Sequence, residues 1–171
     1  GTKNPQKMLQ TGIPFTKKPV ALQFDYKVKM SDRENRIRAT GFSKITDVPG
    51  KDYPAAILLL QKRWEDANGN VYAKRIGTMV TYYYHSTDWK NNVTYEIMYG
   101  DITNRPEYKS HMMRLQATES YTVNSKGESV PIHEVAWGNE NDVPTHMYIQ
   151  FTSSHGGAYI GSPGNTLWVD N

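Results

Sequence analysis

The chain contains no cysteine. That absence excludes disulfides, thiol nucleophiles and Cys-ligated zinc, while leaving the cellular compartment open. Phenylalanine is scarce, at 4 of 171 residues, and hydrophobic residues reach only 37%. A core must therefore draw on the 12 Tyr and 4 Trp, whose apolar bodies carry polar tips. No apolar run approaches the roughly 20 residues of a helical membrane span. No leader peptide is expected within these residues. The chain opens at Gly1 without Met and ends at Asn171 directly after a strand-like run, so a longer parent chain is expected.

Charge of one sign is also weak. The net charge is +3, with 15 Lys/Arg against 7 Asp/Glu in residues 1–75 and 5 against 10 in residues 76–171. An antiparallel fold interleaves its two halves, so this asymmetry need not form a patch. No basic run is interleaved with aromatics, which argues against a nucleic-acid partner. The length suits one domain with one sizeable core.

What is present is alternation. In residues 20–30, Val20, Leu22, Phe24, Tyr26, Val28 and Met30 alternate with Ala21, Gln23, Asp25, Lys27 and Lys29. Period two over that length predicts a half-buried strand, and no helix produces it. Weaker strands are predicted over residues 37–45, 111–123 and 130–137, and stronger ones over 55–64 and 71–85, the last bent near Gly77. Asp66-Ala67-Asn68-Gly69-Asn70 predicts a hairpin loop, because Asn-Gly accepts the positive φ such turns need. Val93, Tyr95, Ile97 and Tyr99 alternate again, as do Met147, Ile149 and Phe151, and residues 166–170 form the last strand. The expected fold is all-β, a two-layer antiparallel sandwich of jelly-roll type, in one domain over residues 1–171. Leu22, Phe24, Tyr26, Met147, Ile149 and Phe151 are expected inside, with Gln23, Lys27 and Gln150 outside.

Two segments carry a resemblance. Gly12-Ile13-Pro14-Phe15-Thr16 followed by Pro19-Val20-Ala21-Leu22-Gln23-Phe24-Asp25-Tyr26-Lys27-Val28-Lys29 stands near the start. Tyr148-Ile149-Gln150-Phe151-Thr152-Ser153-Ser154 and Gly161-Ser162-Pro163-Gly164-Asn165-Thr166-Leu167-Trp168-Val169-Asp170-Asn171 stand at the end. Together they resemble the carbohydrate-metabolism domain at the C-termini of secreted Bacteroidetes lipoproteins, which is similar to carbohydrate-binding jelly rolls. The resemblance implies a cell-surface or periplasmic setting and a polysaccharide or glycan partner. It supplies no catalytic residues. It also implies that Asp170, on the closing strand, could hold a structural calcium, with an exposed strand end as the alternative. No cofactor is required.

The catalytic motifs are sparse. Glycoside hydrolysis needs two carboxyls at a set separation. Glu140 and Asp142 have a suitable offset but sit in the loop-like run Gly138-Asn139-Glu140-Asn141-Asp142, which makes them a weak pair. Glu119, Glu128 and Glu134 have no evident partner in the sequence. His85, His111, His133, His146 and His155 show no metal-ligand spacing. Asp66, Asn68 and Asn70 open like a calcium loop, but Gly69 falls at the wrong place and a plain turn fits better.

Aromatics with polar neighbours remain. Tyr82-Tyr83-Tyr84-His85 ends one strand and Trp89 follows, flanked by Asp88, Lys90, Asn91 and Asn92. Trp89 with Tyr83 or Tyr84 is a candidate stacking plate for a sugar ring, with Asn91 and Asn92 for its hydroxyls; core packing is the alternative. Tyr148 and Gln150 form a second candidate patch. The expected function is a non-catalytic carbohydrate-binding or scaffolding domain. A jelly-roll glycoside hydrolase and a structural or adhesion module are the alternatives.

Overall fold

The computed structural model describes residues 4–41 and 44–171. Strands account for 48% of the chain and short helical turns for 6%, so the fold is all-β. The described residues form thirteen strands: β1 (Ile13–Pro14), β2 (Ala21–Lys29), β3 (Arg36–Thr40), β4 (Lys44–Val48), β5 (Ala55–Glu65), β6 (Val71–Tyr82), β7 (Lys90–Glu96), β8 (Met98–Tyr99), β9 (Tyr121–Val123), β10 (Ser129–Trp137), β11 (His146–Thr152), β12 (Ile160–Gly161) and β13 (Thr166–Asp170).

The main sheet runs β1-β11-β5-β6-β10-β9, with β8 also paired to β6. A second sheet, β13-β2-β7, carries the strand with the clearest alternation, and a third, β12-β3-β4, is a small appendage. The second sheet lies over one face of the main one. Phe24 and Val28 from β2 share a buried cluster with Ala56, Leu58, Leu60, Ile76, Met79, Tyr83 and Ile97. Leu22, Tyr26 and Met147 are half-buried against it.

The main sheet is mixed, which corrects the expectation of purely antiparallel pairing. Strand β10 runs parallel to β6, with Ile132 opposite Val71 and His133 opposite Tyr72. Parallel neighbours need a long crossover. Residues 83–128 supply it, passing through β7 in the second sheet and then β8 in the first. The alternation of Val93, Tyr95, Ile97 and Tyr99 therefore belongs to a chain that changes sheets at Ile97, not to one strand.

Three other expectations are corrected. Residues 37–45 are not one strand but the hairpin β3–β4, closed from Arg36↔Val48 to Thr40↔Lys44, with residues 42 and 43 outside the described set. Residues 111–123 hold strand only at Tyr121–Val123, because Met113 and Gln116 adopt positive φ (61° and 58°), which no strand allows. Ile149 and Phe151 are 39% and 40% exposed, since β11 lies near the sheet edge and the second sheet covers it only in part. Phe151 still meets Phe24 edge-on at 5.0 Å.

Gly77 does more than permit a bend. A Cβ there would lie 2.9 Å from Ile97 Cγ2 and 3.1 Å from Leu60 Cδ1, so glycine lets the crossover close onto β6. The Asp66 loop is the expected turn: Asp66 Oδ1 accepts from the N–H groups of Asn68 and Asn70, each at 2.9 Å.

Candidate functional site

The main sheet has a second face, opposite the core cluster. Cross-strand register sets its rows: Thr152, Ala55 and Tyr82 lie side by side, as do Gln150, Ile57 and Val80, then Tyr148, Leu59 and Thr78. Over these rows runs a groove of about 410 Å³. Its floor is Ala55, Ile57, Val80, Tyr82, Tyr148, Gln150 and Thr152, and its walls come from residues 5–11, 113–120 and 154–158. A narrower extension reaches Leu59, Gln61 and Glu134.

A buried polar network fixes the walls to the floor. Arg75 and Glu134 form a two-point ion pair at 2.5 and 2.6 Å, with Arg75 fully buried. Gln61 Nε2 donates to Glu134 at 2.9 Å, and Arg63 Nε donates to Gln61 Oε1 at 2.9 Å. Outward, Arg75 Nη1 donates to Met113 O and Arg63 Nη1 to Thr11 O, both at 2.9 Å, while the Gln116 N–H donates to Glu134 Oε1 at 3.1 Å. Burial alone would raise the Glu134 carboxyl, but Arg75 reverses that and holds it below its ordinary value. Burial also pulls the Arg63 guanidinium down to about 10, against the opposing pull of Glu134.

At the far end, rings gather around His155. Its imidazole stacks on Tyr53 at 5.6 Å and lies tilted against Tyr82 at 4.8 Å. Tyr82 also meets His111 at 4.6 Å, and Tyr53 meets Tyr84 edge-on at 4.7 Å. Behind His155 lies Asp52, whose side chain is wholly buried. Asp52 Oδ1 is 3.0 Å from His155 Nδ1 and accepts the His155 backbone N–H at 3.0 Å, while Oδ2 accepts from the Ser162 N–H at 3.2 Å. Burial works to raise the Asp52 carboxyl, but hydrogen bonds from His155 and Ser154 outweigh it and the net direction is down. Burial, aided by His155 and Lys109, lowers His111, which keeps it neutral at neutral pH. Burial raises the Tyr82 and Tyr148 phenols, so both stay protonated.

The chain matches no family model, no curated protein and no solved structure.

The residues singled out from the sequence fall in several places. Tyr148 and Gln150 lie together on the groove floor, where the Tyr148 hydroxyl donates to Gln150 Oε1. Tyr84 is 47% exposed and belongs to the ring cluster at the His155 end. Tyr83 is a correction: at 6% exposed it sits in the core, its hydroxyl 2.7 Å from that of Tyr95 and its ring 4.6 Å from Tyr26. It cannot present a face to a sugar. Trp89 is 43% exposed immediately before β7, at the end of the second sheet and away from the groove, and among the described residues no ring stacks on it. Asn91 and Asn92 are exposed beside it. Asn92 takes positive φ (53°) and donates its N–H to Asp25 Oδ1 at 2.6 Å.

Glu140 and Asp142 do not act as a pair. Glu140 is exposed, and its backbone oxygen accepts from Lys18. Asp142 accepts the Asn139 N–H at 2.9 Å and pairs with Lys62 at 3.2 Å; those contacts, the Asn139 bond first, lower its carboxyl and close the loop. Asp170 is exposed on β13 opposite Asp25. Among the described residues no group of three or more His, Asp or Glu side chains gathers to hold a metal. No helix among them is long and apolar enough to cross a membrane.

Sequence reasoning missed Asp52, Tyr53, His111 and His155 as a group. Asp52 and His155 lie 103 residues apart, and neither stands in a motif. Only the Tyr82-Tyr83-Tyr84 run signalled this end of the groove.

Proposed function

We propose that the protein is a carbohydrate-binding domain of jelly-roll type, working at a cell surface or in the periplasm, and that the groove on the main sheet holds its glycan. One observation carries this reading. Tyr148 engages the Gln150 side-chain carbonyl oxygen, which leaves the Gln150 amide N–H groups unpaired among the described residues, on a floor whose other members are Ala55, Ile57, Val80, Tyr82 and Thr152. Saccharides need that combination: an apolar surface for ring C–H faces and a few placed donors for hydroxyls. Hydrolysis is not part of the proposal, because Glu140 and Asp142 lie outside the groove and Asp142 is engaged by the Asn139 N–H and Lys62.

A glycan array with and without calcium tests the reading. A bound glycan should lose roughly thirtyfold in affinity on Gln150→Ala or Tyr148→Ala, the effect of removing about 2 kcal/mol at a hot spot. Loss on Trp89→Ala with Gln150→Ala unaffected would move the site to the edge of the second sheet. Loss on chelation, together with loss on Asp170→Ala, would establish the structural calcium. No binding across the array would leave the structural or adhesion role in its place.

A further inference from the structure

The His155 end of the groove holds more machinery than binding needs. Asp52 is a wholly buried carboxylate, and the one ring nitrogen it faces is His155 Nδ1. That nitrogen lies 3.0 Å from Asp52 Oδ1 and 3.0 Å from the Tyr53 backbone N, whose hydrogen points at it. An acceptor and a donor thus stand at equal distance from one atom. With the proton on Nδ1, Asp52 receives it and Nε2 carries a free lone pair; with the proton on Nε2, the Tyr53 N–H satisfies Nδ1. Both neutral tautomers are held in one ring position, and the carboxylate stabilises the imidazolium between them. His155 Nε2 has no hydrogen-bond partner among the described residues, and the side chain, 22% exposed, lines the groove. Tyr82, tilted against it at 4.8 Å, likewise has no hydrogen-bond partner for its hydroxyl among the described residues, and burial keeps that hydroxyl protonated. A base and an acid in contact, with the neighbouring Ser154 hydroxyl donated to the Ile160 carbonyl oxygen, suit a reaction that moves a proton without adding water.

We propose that this end of the groove cuts uronate-containing polysaccharide by β-elimination, an inference that rests on the groove being the glycan site. His155 Nε2 takes the proton from C5 of a uronate residue. The electron pair of that C–H bond forms the C4=C5 double bond, and the C4–O bond breaks. The departing oxygen takes the phenolic proton of Tyr82. His155 then returns its proton to the Tyr82 oxygen, so the site is reset and neither water nor a cofactor is consumed. The C5 proton is acidic enough only if the adjacent carboxylate is stabilised as charge builds on it. The free amide N–H groups of Gln150, one row along the same sheet face from the Thr152–Ala55–Tyr82 row, supply those donors. Asp52 touches no substrate and is a positioning residue. The groups facing His155 are Asp52, Tyr53 and Tyr82, with His111 beyond Tyr82 and neutral.

The test incubates the protein with polygalacturonate, alginate and chondroitin, following binding by calorimetry and cleavage by the ultraviolet absorbance of the conjugated C4=C5 product. The expected result is binding of one polymer with rising absorbance, matched by new reducing ends one for one, and no new saturated non-reducing ends. His155→Gln should lower the rate at least ~100-fold while leaving binding in place. Asp52→Asn should lower kcat with KM unchanged, and Asp52→Glu should restore part of the rate, a pattern that loss of packing would not give. Should any of these variants fail to fold, Tyr82→Phe keeps the ring and removes the acid, and must abolish the absorbance change. Binding without any rise in absorbance overturns the elimination and leaves the groove reading standing. Activity retained in both His155→Gln and Tyr82→Phe overturns the assignment, and binding to none of the three polymers overturns the uronate specificity.

Discussion

At the scale of single residues, burial and close approach separate structural roles from functional ones. Gly77 is held by its neighbours: a methyl group there meets Ile97 and Leu60 inside ordinary contact distance. Gly77→Ala should therefore destabilise by about 1–3 kcal/mol, the usual range for overpacking a filled core, read as a lower urea midpoint with unchanged slope. Tyr83 and Tyr84 are adjacent in sequence yet have opposite fates, because successive side chains point to opposite sides of the backbone. Tyr83→Phe leaves the Tyr95 hydroxyl without its partner and should cost about 1 kcal/mol, with no effect on glycan binding. Tyr84→Ala, at the exposed edge of the ring cluster, should change stability little.

At the scale of elements, the buried Arg75–Glu134 pair decides how the groove is walled. It joins β6 to β10 and reaches through Met113 and Gln116 to a cover segment that holds only the short 3-10 turn Ser110–Met112. Removing one partner leaves an uncompensated buried charge, so Arg75→Met should cost about 3–5 kcal/mol in chemical unfolding. The double change Arg75→Met with Glu134→Leu should recover much of that loss, because the stranded charge is gone. Proteolysis within residues 105–120 should speed up in both variants, since the cover loses its tie to the sheet in each. A double variant as unstable as the single one would show that the pair contributes packing and not charge compensation.

At the scale of the whole molecule, two buried carboxylates govern the response to acid. Asp52 and Glu134 both have folded-state pKa values held below their ordinary 3.8 and 4.5. A depressed folded value means the unfolded chain binds protons more readily. The associated stability is fully present above the ordinary values and is lost as pH falls through the folded ones. Urea midpoints should thus be flat near neutrality and fall below about pH 4. Glu134→Gln should start lower and show a shallower acid decline; an unchanged decline would show that other carboxylates govern it.

The sequence by itself determined the all-β class and the strands at residues 21–29, 55–65, 71–82, 146–152 and 166–170, because period-two alternation and turn residues act locally. It also brought Tyr148 and Gln150 forward, since their place on the polar side of a strand is a matter of parity alone. Tertiary structure decided the rest. The parallel entry of β10 beside β6, the change of sheet at Ile97 and the partner of Glu134 depend on contacts between distant segments, which alternation does not encode. Trp89, prominent in sequence for its polar neighbours, stands apart from the groove, while His155, isolated in sequence, gains Asp52 from 103 residues away. A buried carboxylate and an imidazole become a functional pair only when folding removes the water between them, and that step belongs to the packed chain.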